Sequence, residues 1–125
     1  MQESGEMYLE TILILSKKAN MVRSIDVAEE MGFSKPAVSR AMGKLREEQY
    51  ILIDPKGYIA LTEKGRTIAE KIYRRHTMLS HFLMLLGVDE ETATADACRM
   101  EHVISDKTFD AMVRHSASHG GKDTL

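Results

Sequence analysis

Residues 50–61, YILIDPKGYIAL, place two β-rich runs on either side of DPKG. Aspartate opens such a turn, proline presets φ at its second position and glycine closes it, so the segment reads as a β-hairpin. What precedes it narrows the fold further. Ser34 stands where a helix N-cap belongs, and Pro36 falls in the first turn, where a missing N–H costs nothing. In the helix that follows, Val38, Ala41, Met42 and Leu45 recur at i, i+3, i+4 and i+7 and face inward. Ser34, Lys35, Ala37, Ser39, Arg40 and Lys44 face out. Just upstream, IDVAEEM with Ser24 as its N-cap forms a shorter helix that stops at Gly32. Two helices joined by a short glycine-containing turn and followed by a hairpin make a winged helix-turn-helix.

Bulk charge does not point to nucleic acid, because 17 Lys+Arg against 19 Asp+Glu leave a net −2. Local charge does. From Ser34 to Arg46 the only charged residues are Lys35, Arg40, Lys44 and Arg46, all positive. A solvated cationic face would explain such a helix too, but it would more naturally mix signs, as REEQ does immediately afterwards. Small outward residues beside Arg40 instead let the helix press against a base edge while one long donor reads it. Arg40 is therefore expected to contact bases, with Ser34, Pro36, Ala37 and Ser39 lining the groove and Lys35, Lys44 and the wing's Lys56 meeting phosphates.

The remaining segments read as helices. EMYLETILILSKKA, residues 6–19, carries Tyr8, Ile12 and Leu15 on one stripe with Leu9 and Leu13 beside it. From Thr62 a long helix runs to about Leu86, before Gly87. Some 25 residues at 1.5 Å each span roughly 37 Å, more than a small winged-helix lobe, so its second half is expected to leave that lobe. There Met78, Phe82 and Leu85–Leu86 need cover. Asp89 caps a fifth helix running through Cys98 to Ser105, and a sixth, KTFDAMVRHS, presents Phe109, Met112 and Val113. The fold expected is mainly α: a winged helix-turn-helix DNA-binding domain over 1–70, a small all-helical dimerisation domain over 71–116, and a disordered tail over 117–125. So small a helical lobe exposes more apolar surface than it can bury alone, which implies a two-fold homodimer through Phe82, Leu85, Phe109 and Met112.

Hydrophobic residues at 43% and charged residues at 29% match a folded soluble protein. One cysteine cannot form an intrachain disulfide, no secretory signal opens the chain, and its longest apolar runs are too short to span a bilayer. The expected location is the cytoplasm, with no membrane partner.

ACRMEH, residues 97–102, holds that cysteine, Cys98, with Glu101 and His102 three and four positions on. On a helix the three share a face. Thiolate, carboxylate and imidazole are good donors for a divalent transition metal. The triplet alone leaves two readings open, because a lone cysteine is usually a small buried hydrophobe and Glu-His is common on solvated helices.

Four stretches, EMYLE, SKPAVSRAMGKL with LTEKG, RRH and ACRMEHVISD, decide between them, for along about residues 4–114 the chain resembles the diphtheria toxin repressor family of iron- or manganese-dependent transcriptional repressors. In the family's iron-responsive branch, residues matching Met7, Cys98, Glu101 and His102 bind the metal. In the manganese-responsive branch acids stand at the places of Met7 and Cys98, and residues matching Glu10 and His76 are further ligands. The resemblance thus implies a hybrid site: Met7, Glu10, His76, Cys98, Glu101 and His102. It also implies that the metal fixes the angle between lobes, and with it the spacing of the two recognition helices on a palindromic operator in double-stranded DNA. Thioether and thiolate favour Fe(II), with Mn(II) as runner-up. Two departures stand out. The iron branch's ancillary site, which would include His76, meets Ser80 and Thr94 where it has a carboxylate and an imidazole, and the chain ends soon after the sixth helix, which implies the two-domain form lacking an SH3-like domain.

Two other classes of function compete. A winged-helix regulator sensing a small organic ligand or redox state would bind DNA regardless of chelators. A small metallohydrolase would need an open metal position and a general base, and ACRMEH keeps no spare carboxylate once Glu101 ligates. An enzyme is not expected.

Overall fold

The computed structural model describes residues 1–19 and 21–118. Among these are six helices and one two-stranded sheet: α1 (Glu3–Lys18), α2 (Ser24–Met31), α3 (Lys35–Glu47), β1 (Ile51–Ile53), β2 (Ile59–Leu61), α4 (Glu63–Leu85), α5 (Glu90–Met100) and α6 (Asp106–Ser118). The chain divides into two compact units, one ending at Lys71 and the other beginning at Ile72. No helix among the described residues is long and apolar enough to cross a membrane.

The first unit is the winged helix-turn-helix. Its core is built from Leu9, Ile12 and Leu13 of α1, Val27 of α2, Val38, Met42 and Leu45 of α3, and Ile51 and Ile59 of the hairpin, all buried. Burying a side chain of this size stabilises by about 1.5–3 kcal/mol. The α3 boundary follows from local chemistry, since Ser34 Oγ accepts the Ala37 N–H at 3.3 Å and Pro36 sits in the first turn. At α2 the cap differs from expectation. Ser24 is already helical and Arg23 is the N-cap, its N–H bonded to the Asp26 carboxylate at 2.9 Å. The acid at the third helical position accepts the N–H of the residue before the helix, which starts the helix at Ser24 and leaves that serine inside the first turn.

The hairpin pairs Ile51 with Leu61 and Ile53 with Ile59. Asp54 closes its turn by accepting the Gly57 N–H on its carbonyl and the Lys56 and Tyr58 N–H groups on its carboxylate, while Gly57 takes φ +88°. Val22 adds a bridge to Ile59, which ties the wing to the segment before α2.

The first turn of α4 is stitched to the end of α3. Thr62 donates its hydroxyl to the Gln49 carbonyl and its N–H to the Tyr50 carbonyl, and its oxygen accepts the Gly65 N–H. Lys64 reaches the Glu48 carbonyl and lies over the Tyr50 ring. The approach is so close that a Cβ on Gly65 would stand 2.0 Å from the Tyr50 carbonyl oxygen.

The second unit packs α4, α5 and α6 around Leu79, Ala97 and Phe109, with Met78, Met100, Ile104, Met112 and Val113 partly buried against them. Asp89 caps α5 by accepting the Thr92 N–H at 2.9 Å, and that hydrogen bond holds its carboxyl below the ordinary carboxylate pKa. Three boundaries differ from the sequence reading. The sixth helix continues through Ala117 and Ser118, so the tail expected from 117 begins inside α6 and otherwise lies outside the described residues. The fifth ends at Met100 and not at Ser105, with turns following. Helix one starts at Glu3, earlier than expected.

Gly65→Ala must push α4 away from the Tyr50 backbone, and overpacking of this kind costs about 1–3 kcal/mol. Gly43, inside α3, has nothing within 4 Å of a built Cβ, so Gly43→Ala should be neutral or stabilising by up to about 1 kcal/mol. Urea or thermal unfolding should show a lowered midpoint for Gly65→Ala and an unchanged or raised one for Gly43→Ala, and a Gly65→Ala midpoint equal to wild type would refute the close approach.

Candidate metal centre

Four of the expected ligands lie in the second unit. His76 projects from α4, Cys98 from α5, Glu101 is the C-cap residue of α5, and His102 opens the turn that follows. The donor atoms of His76, Cys98 and Glu101 all lie within 4.8 Å of one another. Donors on opposite sides of one ion, with bonds of about 2.0–2.3 Å, stand no more than about 4.6 Å apart. The three lie close to the spacing that a single cation would require.

Glu101 is the centre of the arrangement. Its side chain has no exposed surface; Oε2 lies 2.9 Å from His76 Nδ1, and Oε1 lies 3.3 Å from His102 Nε2. The second approach is close enough for an ion pair but lacks hydrogen-bond alignment, and Oε1 is buried without a hydrogen-bond partner. A buried charged oxygen left in that state is costly unless a cation compensates it. The His102 side chain is almost fully buried and the His76 side chain partly so. Cys98 is exposed and not disulfide-bonded, which removes the reading of it as a buried hydrophobe. Soft sulfur, imidazole nitrogen and carboxylate oxygen together suit a first-row transition ion and are a poor set for Ca2+ or Mg2+.

Of the other expected residues, Met7 and Glu10 lie three apart on α1 of the first unit, with Glu10 buried and Met7 at 36% exposure. Ser34, Lys35, Pro36, Ser39, Arg40 and Lys44 form the exposed side of α3, with Ala37 half-buried, and Lys56 is exposed at the wing turn. Leu85 is exposed, Phe82 and Met112 are half-buried, and Phe109 is buried in the core of its own unit. Phe109 therefore supports the surface from within. Ser80 and Thr94 border an open cavity of about 600 Å³ next to His76, and they bring hydroxyls where an ancillary metal site would need a carboxylate and an imidazole.

Sequence reasoning missed Arg75. Only 6% exposed, it donates from Nη1 to the carbonyls of Glu101 and Ile104, and its Nη2 pairs with Asp106. The available signal was its place with buried Ile72 and Leu79 on one helical stripe, i, i+3 and i+7.

Two domain models match the chain almost end to end. Residues 1–59 match the N-terminal DNA-binding domain of iron-dependent repressors, and residues 62–117 match their metal-binding and dimerisation domain. The transcriptional regulator MntR of Escherichia coli O157:H7 is 34% identical over 115 residues, which cover 92% of this chain and 74% of that protein. The chain belongs to the diphtheria toxin repressor family. Members of this family are metal-dependent transcriptional repressors that bind DNA through the first domain and dimerise through the second. An HTH-type transcriptional regulator of Methanocaldococcus jannaschii is 35% identical over 114 residues, covering 90% of this chain and 91% of its own length. Among solved structures, that of the manganese regulator SloR superposes with a TM-score of 0.79 at 32% identity, covering 92% of this chain, and a manganese-dependent transcriptional repressor in complex with manganese superposes at 0.81 and 28%. This family member spans about half of each of those solved chains, 54% and 51%. His76, Cys98, Glu101 and His102 all fall within the stretch matched by the metal-binding domain, and α3, β1 and the wing turn fall within the stretch matched by the DNA-binding domain, which ends at the first residue of β2.

Proposed function

We propose that this chain is a metal-activated repressor of metal-homeostasis genes, acting on cytoplasmic double-stranded DNA with the ion as corepressor. One observation carries the reading: three donor types, His76, Cys98 and Glu101, come together at a buried carboxylate, one of whose two oxygens has no hydrogen bond. His102 adds a fourth donor, and the resemblance of EMYLE assigns Met7 and Glu10 to the same ion. In a homodimer, joined through the surface around Phe82, Leu85 and Met112 over Phe109, that ion restricts how two recognition helices meet a palindromic operator whose half-sites lie one turn, roughly 34 Å, apart. Metal thereby selects the DNA-competent arrangement from a broader ensemble. Titration of candidate operator DNA with Mn(II), Fe(II), Co(II), Zn(II) or a chelator tests this directly. Chelation should weaken specific binding by about tenfold or more, the scale of an ordinary allosteric coupling, with helical content nearly intact. Equal operator affinity with and without chelator would refute the corepressor role.

The reading face is assigned to Arg40, with Ser34, Pro36, Ala37 and Ser39 close to the groove floor and Lys35, Lys44 and Lys56 on phosphates. The support is the run of exposed cationic and small residues on α3 opposite buried Val38, Met42 and Leu45. Arg40→Ala should cost about 1–3 kcal/mol of operator binding and relax specificity at one position per half-site. Lys44→Ala should weaken all sequences alike and reduce the salt dependence. If both variants behave alike in competition assays, the reading side chain has been misassigned.

For the ion itself the proposal is Fe(II), with Mn(II) as runner-up. The solved relatives named for manganese favour the second, whereas the Cys98 thiol among the donors favours the first, because Mn(II) is hard and prefers oxygen and nitrogen. Replacing Met7→Asp together with Cys98→Glu should shift anaerobic, metal-activated DNA binding toward Mn(II) and away from Fe(II) and Co(II). A wild-type protein that already responds best to Mn(II), and is unaltered by the replacement, would show that sulfur does not set selectivity.

A further inference from the structure

Arg75 lies one residue before His76 on α4, in a stripe otherwise occupied by buried apolar Ile72 and Leu79. Its guanidinium stands 5.4 Å from the Phe109 ring centre, where an uncharged side chain could cover the ring equally well. Instead Nη1 donates to the Glu101 carbonyl at 3.1 Å and the Ile104 carbonyl at 2.9 Å, and Nη2 pairs with the Asp106 carboxylate at the start of α6. Nε is buried with no hydrogen-bond partner. A buried arginine with one donor unsatisfied is a costly way to fill a core position, so its reason lies in what it holds.

What it holds is the turn that carries two of the donors. The regular ladder of α5 stops here: the Glu101 N–H still reaches the Ala97 carbonyl, but the Val103 and Ile104 N–H groups both turn back onto the Met100 carbonyl. Carbonyls at a helix end have no donor within the helix. Val103, in the middle of the turn, is 73% exposed and provides no apolar anchor. We infer that Arg75 is a positioning residue for the metal centre: by clamping the carbonyls on both sides of His102, it fixes the directions in which the Glu101 carboxylate and the His102 imidazole leave the backbone. This rests on the metal-binding reading of His76, Cys98, Glu101 and His102. The planar fork is essential, because a lysine ammonium brings the same charge but cannot hold two carbonyls and a carboxylate in one plane.

The test compares wild type with Arg75→Lys, using Co(II) as the probe and the full chain. Three quantities are read: cobalt affinity, the visible and thiolate-to-cobalt absorption bands, and amide hydrogen exchange over residues 101–104 in the metal-free protein. Expected are a 10–100-fold weaker affinity, the range for residues that orient metal ligands, shifted bands, and faster exchange confined to that turn. A folded Arg75→Lys that matches wild type in affinity and spectrum overturns the inference. Should Arg75→Lys fail to fold, Asp106→Ala decides, since it alters an exposed carboxylate and leaves the arginine in place without its orienting partner. Weaker cobalt binding with the same spectral shift supports the clamp, and wild-type cobalt binding by folded Asp106→Ala overturns it. Wild type that takes up no cobalt overturns the metal-binding reading itself, and is distinct from wild type and variants binding equally, which overturns the positioning role alone.

Discussion

A carboxylate without exposed surface sets the terms for the whole second unit. Glu101 has Oε2 beside His76 and Oε1 near His102 without a hydrogen bond. An uncompensated buried charge costs several kcal/mol, so the helices around it need a reason to tolerate it. One protonated imidazole could balance the carboxylate alone. A divalent cation balances the carboxylate and the Cys98 thiolate together and uses the imidazoles as neutral donors, which suits the composition of the cluster better. On the proposed metal-binding reading, ion binding and the fold of this unit would be linked energetically, because the fold brings the donors together.

In the first unit the comparable constraint is steric. The α4 backbone meets the Tyr50 carbonyl so closely at Gly65 that no larger residue fits without movement, and Thr62 and Lys64 close the same junction with hydrogen bonds to Tyr50, Gln49 and Glu48. These contacts fix where the hairpin leaves α3, and so where Lys56 stands relative to the exposed side of that helix within the unit. A surface made of short side chains can tolerate little backbone play, because Ser34, Ala37 and Ser39 cannot extend to recover a lost contact.

What could be read directly from the residues was whatever local chemistry decides. Ser34, Pro36, Asp54, Gly57 and Asp89 act within a few residues of themselves, and the caps and the hairpin turn lie where those residues put them. Cap identity at α2 escaped because Asp26 accepts the Arg23 N–H, which starts the helix one residue earlier than a Ser24 cap would. The end of α5 escaped for a different reason. It is held by Arg75, 26 and 29 residues away in sequence from the carbonyls it caps, and no periodicity within ACRMEHVISD encodes that contact. The donor types in ACRMEH were visible, but not the arrival of His76 beside Glu101, since that depends on how α4 packs against α5. Phe109 reads as surface from its helix alone, yet it fills the space beneath Leu79 and Ala97.

The exposure of Cys98 has a consequence for time rather than affinity. Glu101 is sealed from solvent and the His102 side chain nearly so, whereas the sulfur lies at the surface. An ion held partly by a surface thiolate can be approached by a competing small ligand from the solvent side while its buried donors remain in place. On the proposed ligand set Cys98 would then be the donor exchanged first, and release would not require the unit to open. A site built in this way would respond to the exchangeable metal around it, because one of its donors lies within reach of the medium.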